Sequence, residues 1–258
     1  MTTVCTAMWG TAYERYGARF LESAAKFWAP DIGLIVMSDG MVPRSAVSRA
    51  GDQLLDMPPD WAAFRARHAD NPAANGRAVS PKWKPKERAI GYDWRHDAVK
   101  WCAQAFVPEA AAALLPDGEL MVWLDADVVT FAPLAANLFE ALVGDADGAY
   151  LGRAPKHSEI GFWAVRLSPV TRAFLAGFAY AYRHDSIFAL KETHSAFVWD
   201  HVRRLYEPSV AKVPTMRMRD LTPGGRGHVF MQSPLSVALD HCKGARKIKG
   251  YSKERRAA

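Results

Sequence analysis

The sequence predicts an α/β protein with a mixed, mainly parallel sheet flanked by helices, and three observations lead there. Thr3 to Met8 is a short uncharged run that suits a buried strand. After it, Tyr16, Phe20, Leu21, Ala24, Phe27 and Trp28 recur at helical spacing within Tyr13 to Trp28. Ile32 to Met37 then reads as a second strand, stopped by Ser38-Asp39-Gly40. A strand, helix, strand order of this length is a right-handed crossover between parallel strands.

The following elements are read in the same way. The interval from about Met57 to Ile90 is rich in Pro, Ala, Asn, Gly and Lys, which predicts a short helix over Trp61 to Arg67 and then a long loop. A helix over Trp94 to Phe106 would lay Ala98, Trp101, Cys102 and Ala105 on the sheet. Met121 to Val129 is the next buried strand, broken near its end by Asp125 and Asp127. Gly148 to Gly152 and Gly161 to Leu167 read as strands, and Pro169 to Arg183 and Ser195 to Tyr206 as helices. A last helix is expected to start at an N-cap Ser233 with Pro234 behind it, and to end near His241 with Gly244 beyond.

A chain of 258 residues with 50% hydrophobic and 23% charged residues can bury a large core as one domain or two intimately packed halves, and a single domain over 1–258 is expected. Its expected parts are a ligand-binding half over about 1–130, a second half over about 131–240, and a basic segment over 241–258. The first residues lack a secretory pattern and no run is long enough to span a bilayer, so a cytoplasmic protein without membrane contact is expected. Cys5, Cys102 and Cys242 have no zinc-type spacing and read as reduced thiols. The net charge of +6 is concentrated in Lys82-Trp83-Lys84-Pro85-Lys86-Glu87-Arg88 and in a second run from Lys243 through Arg256. Such runs serve polyanions or simply a solvated surface.

Chemistry is carried first by Asp125-Ala126-Asp127, at the end of the buried Met121 strand. On alternating strand positions, both carboxylates would point the same way, toward a hard divalent cation such as Mn²⁺ or Mg²⁺ holding phosphate oxygens. The residues alone also permit a plain polar strand end. A second copy, Asp145-Ala146-Asp147, lies between glycines and reads as a solvated turn. In open α/β sheets ligands bind beyond the carboxyl ends of the strands, where both Asp39 and the Asp125/Asp127 pair are expected.

The run Trp123-Leu124-Asp125-Ala126-Asp127-Val128 resembles the Asp-x-Asp signature of GT-A-fold (Rossmann-like) glycosyltransferases, especially family 8 enzymes such as glycogenin and the bacterial lipopolysaccharide galactosyltransferases. His241-Cys242-Lys243-Gly244-Ala245-Arg246-Lys247 is similar to the family's C-terminal His-x-x-Gly-x-x-Lys signature. The resemblance implies a nucleoside-diphosphate sugar as donor, a metal held by Asp127 and His241 with Asp125 either ligating it or reaching the ribose, and a diphosphate met by Gly244 and Lys247. The Pro-Trp that follows in the family is Ile248-Lys249 here. His157-Ser158-Glu159-Ile160-Gly161-Phe162 sits where family members carry Asn-Ser-Gly, which puts Glu159 near the transferred sugar.

Around this core, Thr6 and Tyr13 are candidates for the base pocket, Asp39 for the nucleoside, and Arg95 and Lys100 for the neighbourhood of the donor. Each also fits a core, turn or solvated-helix role. Glu159 and Asp200 are the carboxylates available to the reacting half, with Lys247 offsetting charge on the leaving group. The family implies retention of configuration. Tyr150-Leu151-Gly152-Arg153 and Gly227-His228 extend the resemblance to phage-type glycosyltransferases, some of which modify hydroxylated or hydroxymethylated pyrimidines in DNA. That extension implies double-stranded DNA as acceptor and, for a phage-encoded protein, the host cytoplasm. A saccharide or lipid-linked glycan is the alternative acceptor. A nucleic-acid-binding module and a metal-dependent phosphoesterase are the readings from other classes.

Overall fold

The computed structural model describes residues 1–77, 92–207, 215–244 and 246–255. The basic run at Lys82, Lys84 and Lys86 therefore lies outside the described residues, as does Arg256. In chain order the strands and helices are β1 (Thr2–Met8), α1 (Ala18–Phe27), β2 (Ile32–Ser38), β3 (Gln53–Asp56), α2 (Pro59–His68), α3 (Ala98–Trp101) and α4 (Ala103–Ala113). They continue as β4 (Leu120–Leu124), β5 (Val128–Thr130), α5 (Ala136–Val143), β6 (Gly148–Leu151), β7 (Glu159–Arg166), α6 (Pro169–Arg183) and α7 (Ser195–Tyr206). The last are β8 (Met218–Asp220), α8 (Val229–Gln232), β9 (Leu239–His241) and α9 (Arg246–Lys249).

Among the described residues the main sheet has seven strands in the order β3-β2-β1-β4-β7-β6-β8. β1, β2, β3 and β4 run parallel to one another, β7 runs antiparallel to β4 and β6, and β8 is parallel to β6. This is the expected mixed, mainly parallel α/β architecture.

Alternation along the strands divides the core into two faces. In β4, Met121 and Trp123 join one apolar cluster, with Trp163 and Val165 of β7, α2, α4, α6 and α7. Leu120, Val122 and Leu124 join the other, with Phe162 and Ala164 of β7, α1 and α5. A strand buried on both faces has to be apolar throughout, which is why the β4 run carries no alternation of polarity.

Local signals explain where the helices start. Ser168 accepts a hydrogen bond from the Thr171 backbone and the Thr171 side chain answers to the Ser168 backbone, with Pro169 at the first helical position, so α6 begins where expected. α7 has the expected bounds too. The expected single helix from Trp94 is instead a 3-10 turn over Trp94–His96, then α3 and α4. Asp93 and Asp97 cap the first two pieces, accepting from the backbones of Arg95 and Lys100.

The expected terminal helix is corrected. Ser233 does accept from Leu235 N, but only a 3-10 turn over Pro234–Val237 follows. The chain then enters β9, which pairs antiparallel with β5 so that His241 lies opposite Val128. Ladder hydrogen bonds to β5 satisfy the backbone that a helix would otherwise have satisfied internally. Among the described residues no helix is long and apolar enough to cross a membrane.

Candidate metal and donor site

Three segments meet beyond the carboxyl end of β4. The strand ends at Leu124, and Asp125-Ala126-Asp127 forms a turn in which Val128 N donates to Asp125 O at 2.9 Å. The two carboxylates therefore converge through a turn and not through the strand alternation expected of them. The turn is held from both sides: Asp125 N donates to Gly161 O of β7 and Cys242 N donates to Asp127 O, each at 3.0 Å.

His241 is 1% exposed and stands at the centre of the cluster. Its Nε2 lies 2.9 Å from Asp127 Oδ1 and 3.6 Å from Asp125 Oδ2, while its Nδ1 lies 3.6 Å from Glu159 Oε1. Gly161 makes room for the ring, since a Cβ there would come within 2.2 Å of His241 Cε1. Asp125, Asp127 and His241 each offer one ligand atom, all within 4.8 Å of one another. Two carboxylates and one imidazole form a hard-leaning set that fits Mn²⁺ or Mg²⁺.

Cations surround these carboxylates. Lys247, carried on α9 behind a turn in which Gly244 has φ +60°, places its Nζ 2.8 Å from Asp127 Oδ2 and 4.2 Å from the centre of the Tyr16 ring. Lys243 Nζ lies 2.5 Å from Glu159 Oε1, and Arg153 Nη1 lies 3.3 Å from Glu159 Oε2. Burial alone would raise the Asp127 carboxyl, but His241 and Lys247 outweigh it and hold the group well below the usual carboxylate range. Burial is likewise outweighed at Glu159, by Lys243 and His241, which bring its pKa down to about 2. Asp125 goes the other way: burial and the Asp127 carboxylate push it up.

A cavity of about 400 Å³ opens beside this cluster, with Trp94, Trp101, Gln104, Asp125, Glu159 and Lys243 on its wall. Gln104 and Trp123 each donate to Asp125 Oδ1, at 2.6 and 3.0 Å, and so fix the carboxylate at the cavity edge.

The remaining sequence candidates fall into three groups. Arg95 lines the cavity, its guanidinium pairing with Asp93 Oδ2 at 2.6 Å, and Lys100 is exposed with its Nζ 4.6 Å from the Trp101 ring centre. Thr6 is fully buried in β1, Tyr13 begins a π-helical turn over Tyr13–Gly17, and Asp39 accepts from Gly10 N at 2.8 Å. These three are not on the cavity wall. Asp200 is buried and accepts from Ser158 N at 2.8 Å and Ser158 Oγ at 2.7 Å, so it anchors the segment leading into Glu159.

Gln104, Tyr16, Lys243 and Gly161 were not singled out as site residues from the sequence. Gln104 is a buried amide among the apolar residues of α4, and that was the available signal. Lys243 lay inside the His241 motif but at one of its unspecified positions.

No protein-family model matches the chain and no curated protein matches it. Among solved structures, the chain is similar in course to a galactosyltransferase, LgtC, solved with donor and acceptor sugar analogues. The identity is 13%, with 86% of this chain and 87% of that chain covered and a TM-score of 0.43. An active-site mutant of LgtC is similar at 13% identity, with 76% and 69% covered and a TM-score of 0.42. Mouse xyloside xylosyltransferase 1 in its apo form is similar at 9% identity, with 86% and 85% covered and a TM-score of 0.47.

Proposed function

We propose that this protein is a metal-dependent glycosyltransferase that moves a sugar from a nucleoside diphosphate to a hydroxyl of a saccharide or glycan acceptor. The observation that carries the reading is the convergence of Asp125, Asp127 and His241 beside Lys247, beyond the carboxyl end of a central strand and at the edge of a cavity. The motif resemblance at Asp125-Ala126-Asp127 and at His241 to Lys247 supports the same assignment.

In this reading Asp125, Asp127 and His241 would hold a divalent cation, which when bound supplies Lewis acidity to a diphosphate leaving group. Lys247 leaves Asp127 for the diphosphate and offsets the charge that builds there as the glycosidic bond breaks. Glu159, held as a carboxylate by Lys243 and Arg153, orients groups around the transferred sugar and has no proton to donate at neutral pH. Trp94 and Trp101 line the cavity and would give it apolar surface for an acceptor sugar.

A saccharide acceptor is favoured over a modified pyrimidine in DNA by the pairing of the basic C-terminal segment. Lys243, Lys247 and Arg255 are engaged with Glu159, Asp127 and Asp240, and Ser252 N donates to Asp240 Oδ2 at 2.7 Å. These three cations already have carboxylate partners within the protein, while Lys249 and Lys253 of the same segment are exposed. The test is a mass-spectrometric screen of nucleotide sugars against saccharides, glycans, and plain and hydroxymethylated DNA. Mn²⁺-dependent transfer to a saccharide supports the reading; efficient transfer to hydroxymethylated DNA alone replaces the acceptor, and no transfer with any donor discards the class.

A further inference from the structure

Across the same cavity stands a second cluster that the proposed transfer does not use. His157 Nε2 lies 3.1 Å and His194 Nε2 lies 3.0 Å from the same oxygen, Glu192 Oε2. His194 is 3% exposed and Glu192 9%, whereas the His157 side chain is 32% exposed toward the cavity, whose wall all three residues line. The three ligand atoms lie within 4.8 Å of one another. We propose that His157, Glu192 and His194 form a second divalent-cation site, with a donor set that suits zinc.

The geometry supports this in two ways. Zinc binds imidazole nitrogen and carboxylate oxygen at about 2.1 Å, so its tetrahedral ligand pairs sit roughly 3.4 Å apart. The two observed nitrogen–oxygen separations need to open by only a few tenths of an ångström to reach that spacing. The supporting backbone is also fixed. Thr193 N and His194 N both donate to Arg95 O, at 2.9 and 3.0 Å, Tyr182 Oη donates to Thr193 O at 2.9 Å, and Asp200 grips Ser158 next to His157. Ligands on pinned segments lose little freedom on binding.

Donor chemistry separates this site from the first. Two imidazoles and one carboxylate are softer than two carboxylates and one imidazole, which suits zinc here and manganese there. Three protein ligands leave a fourth position open, as in sites that exchange water for a substrate oxygen. All three residues line the shared cavity. The two clusters are also linked: Ser195, next to His194, donates to Gln104 Oε1, and Gln104 donates to Asp125. The inference does not depend on the transfer reaction, because it concerns metal binding alone.

The test is zinc titration of chelator-stripped full-length protein against a chromophoric chelator, in an Asp125→Asn/Asp127→Asn background that disables the first cluster. One zinc equivalent should remain bound, with two imidazoles in its X-ray absorption spectrum. Adding His157→Ala or Glu192→Gln should weaken it by about a hundredfold. His157 is the safer substitution, being half-buried, and melting temperatures check that each variant folds. Absence of bound zinc in the background protein, or zinc affinity unchanged by both substitutions, would overturn the site and leave a hydrogen-bonded His-Glu-His cluster.

Discussion

Lys247 Nζ lies 2.8 Å from Asp127 Oδ2, joining the two sequence motifs of the site in one ion pair. The other oxygen of Asp127 faces His241 at 2.9 Å. The carboxylate is thus held between an imidazole and an ammonium, and Lys247 in turn has its affinity for the proton raised, Asp127 outweighing the cost of burial. A diphosphate entering beside a cation would compete with Asp127 for this lysine.

Lys247→Ala is therefore expected to lower turnover more than donor binding, by about a hundredfold in kcat against a few-fold in KM. Steady-state kinetics with the donor varied checks this. An unchanged kcat with only a raised KM would place the lysine in ground-state binding alone.

Gly161→Ala should act on the site and not primarily on the fold. The added methyl would meet His241 Cε1 at 2.2 Å and Nδ1 at 2.5 Å, so the ring has to shift from the position in which its Nε2 faces Asp127. Mn²⁺ affinity measured by calorimetry should fall about tenfold or more. Affinity equal to the parent would mean that the ring position is not needed for the ion.

Gln104→Leu removes the 2.6 Å hydrogen bond to Asp125 Oδ1 while keeping the side-chain volume. The expectation is a loss of about 10- to 100-fold in metal affinity or activity with only a small change in melting temperature. Gln104→Glu should be worse, because a third carboxylate beside Asp125 and Asp127 repels both.

Stability should fall on the alkaline side. Burial pushes the Cys102 thiol up to about 12, and Cys5 is raised by burial as well. A thiol whose folded pKa exceeds its unfolded value contributes its full stability below the unfolded value of 9.0 and loses it as pH rises toward the folded value. Urea unfolding between pH 9 and 12 should show about 1.4 kcal/mol lost per pH unit for each such thiol. Cys102→Ala should flatten that limb; an unchanged slope would assign it to other groups.

Much of the sheet was legible because strands buried on both faces must be largely uncharged, apolar-rich runs, and β1, β2, β4, β6 and β7 all carry that signal. α6 and α7 were legible from apolar spacing, with Ser168 and Pro169 marking the start of α6. The short strands β3, β8 and β9 were not, since their pairing is set by partners distant in sequence, and β5 reads in the sequence as a continuation of the β4 run across Asp125 and Asp127. His241 shows the consequence. Its place on β9 opposite Val128, and not at the end of a helix, depends on a ladder that only the folded chain contains. The Asp125, Asp127, His241 and Lys247 constellation was readable because two motifs carried it, whereas Gln104 and Gly161 act through packing and hydrogen bonds that no local pattern announces. The His157, Glu192 and His194 cluster joins two separated loops and was equally silent.

A cation held by Asp127 and His241, and in turn binding a nucleoside diphosphate, is the centre of the proposed site. Calorimetric titration of the full chain with nucleoside diphosphates, with and without Mn²⁺, tests it directly in the parent and in Asp127→Asn. The expected result is tight binding of at least one diphosphate only when Mn²⁺ is present, weakened by more than about a hundredfold in Asp127→Asn while the protein stays folded. Metal-independent binding of equal strength in both proteins would contradict it.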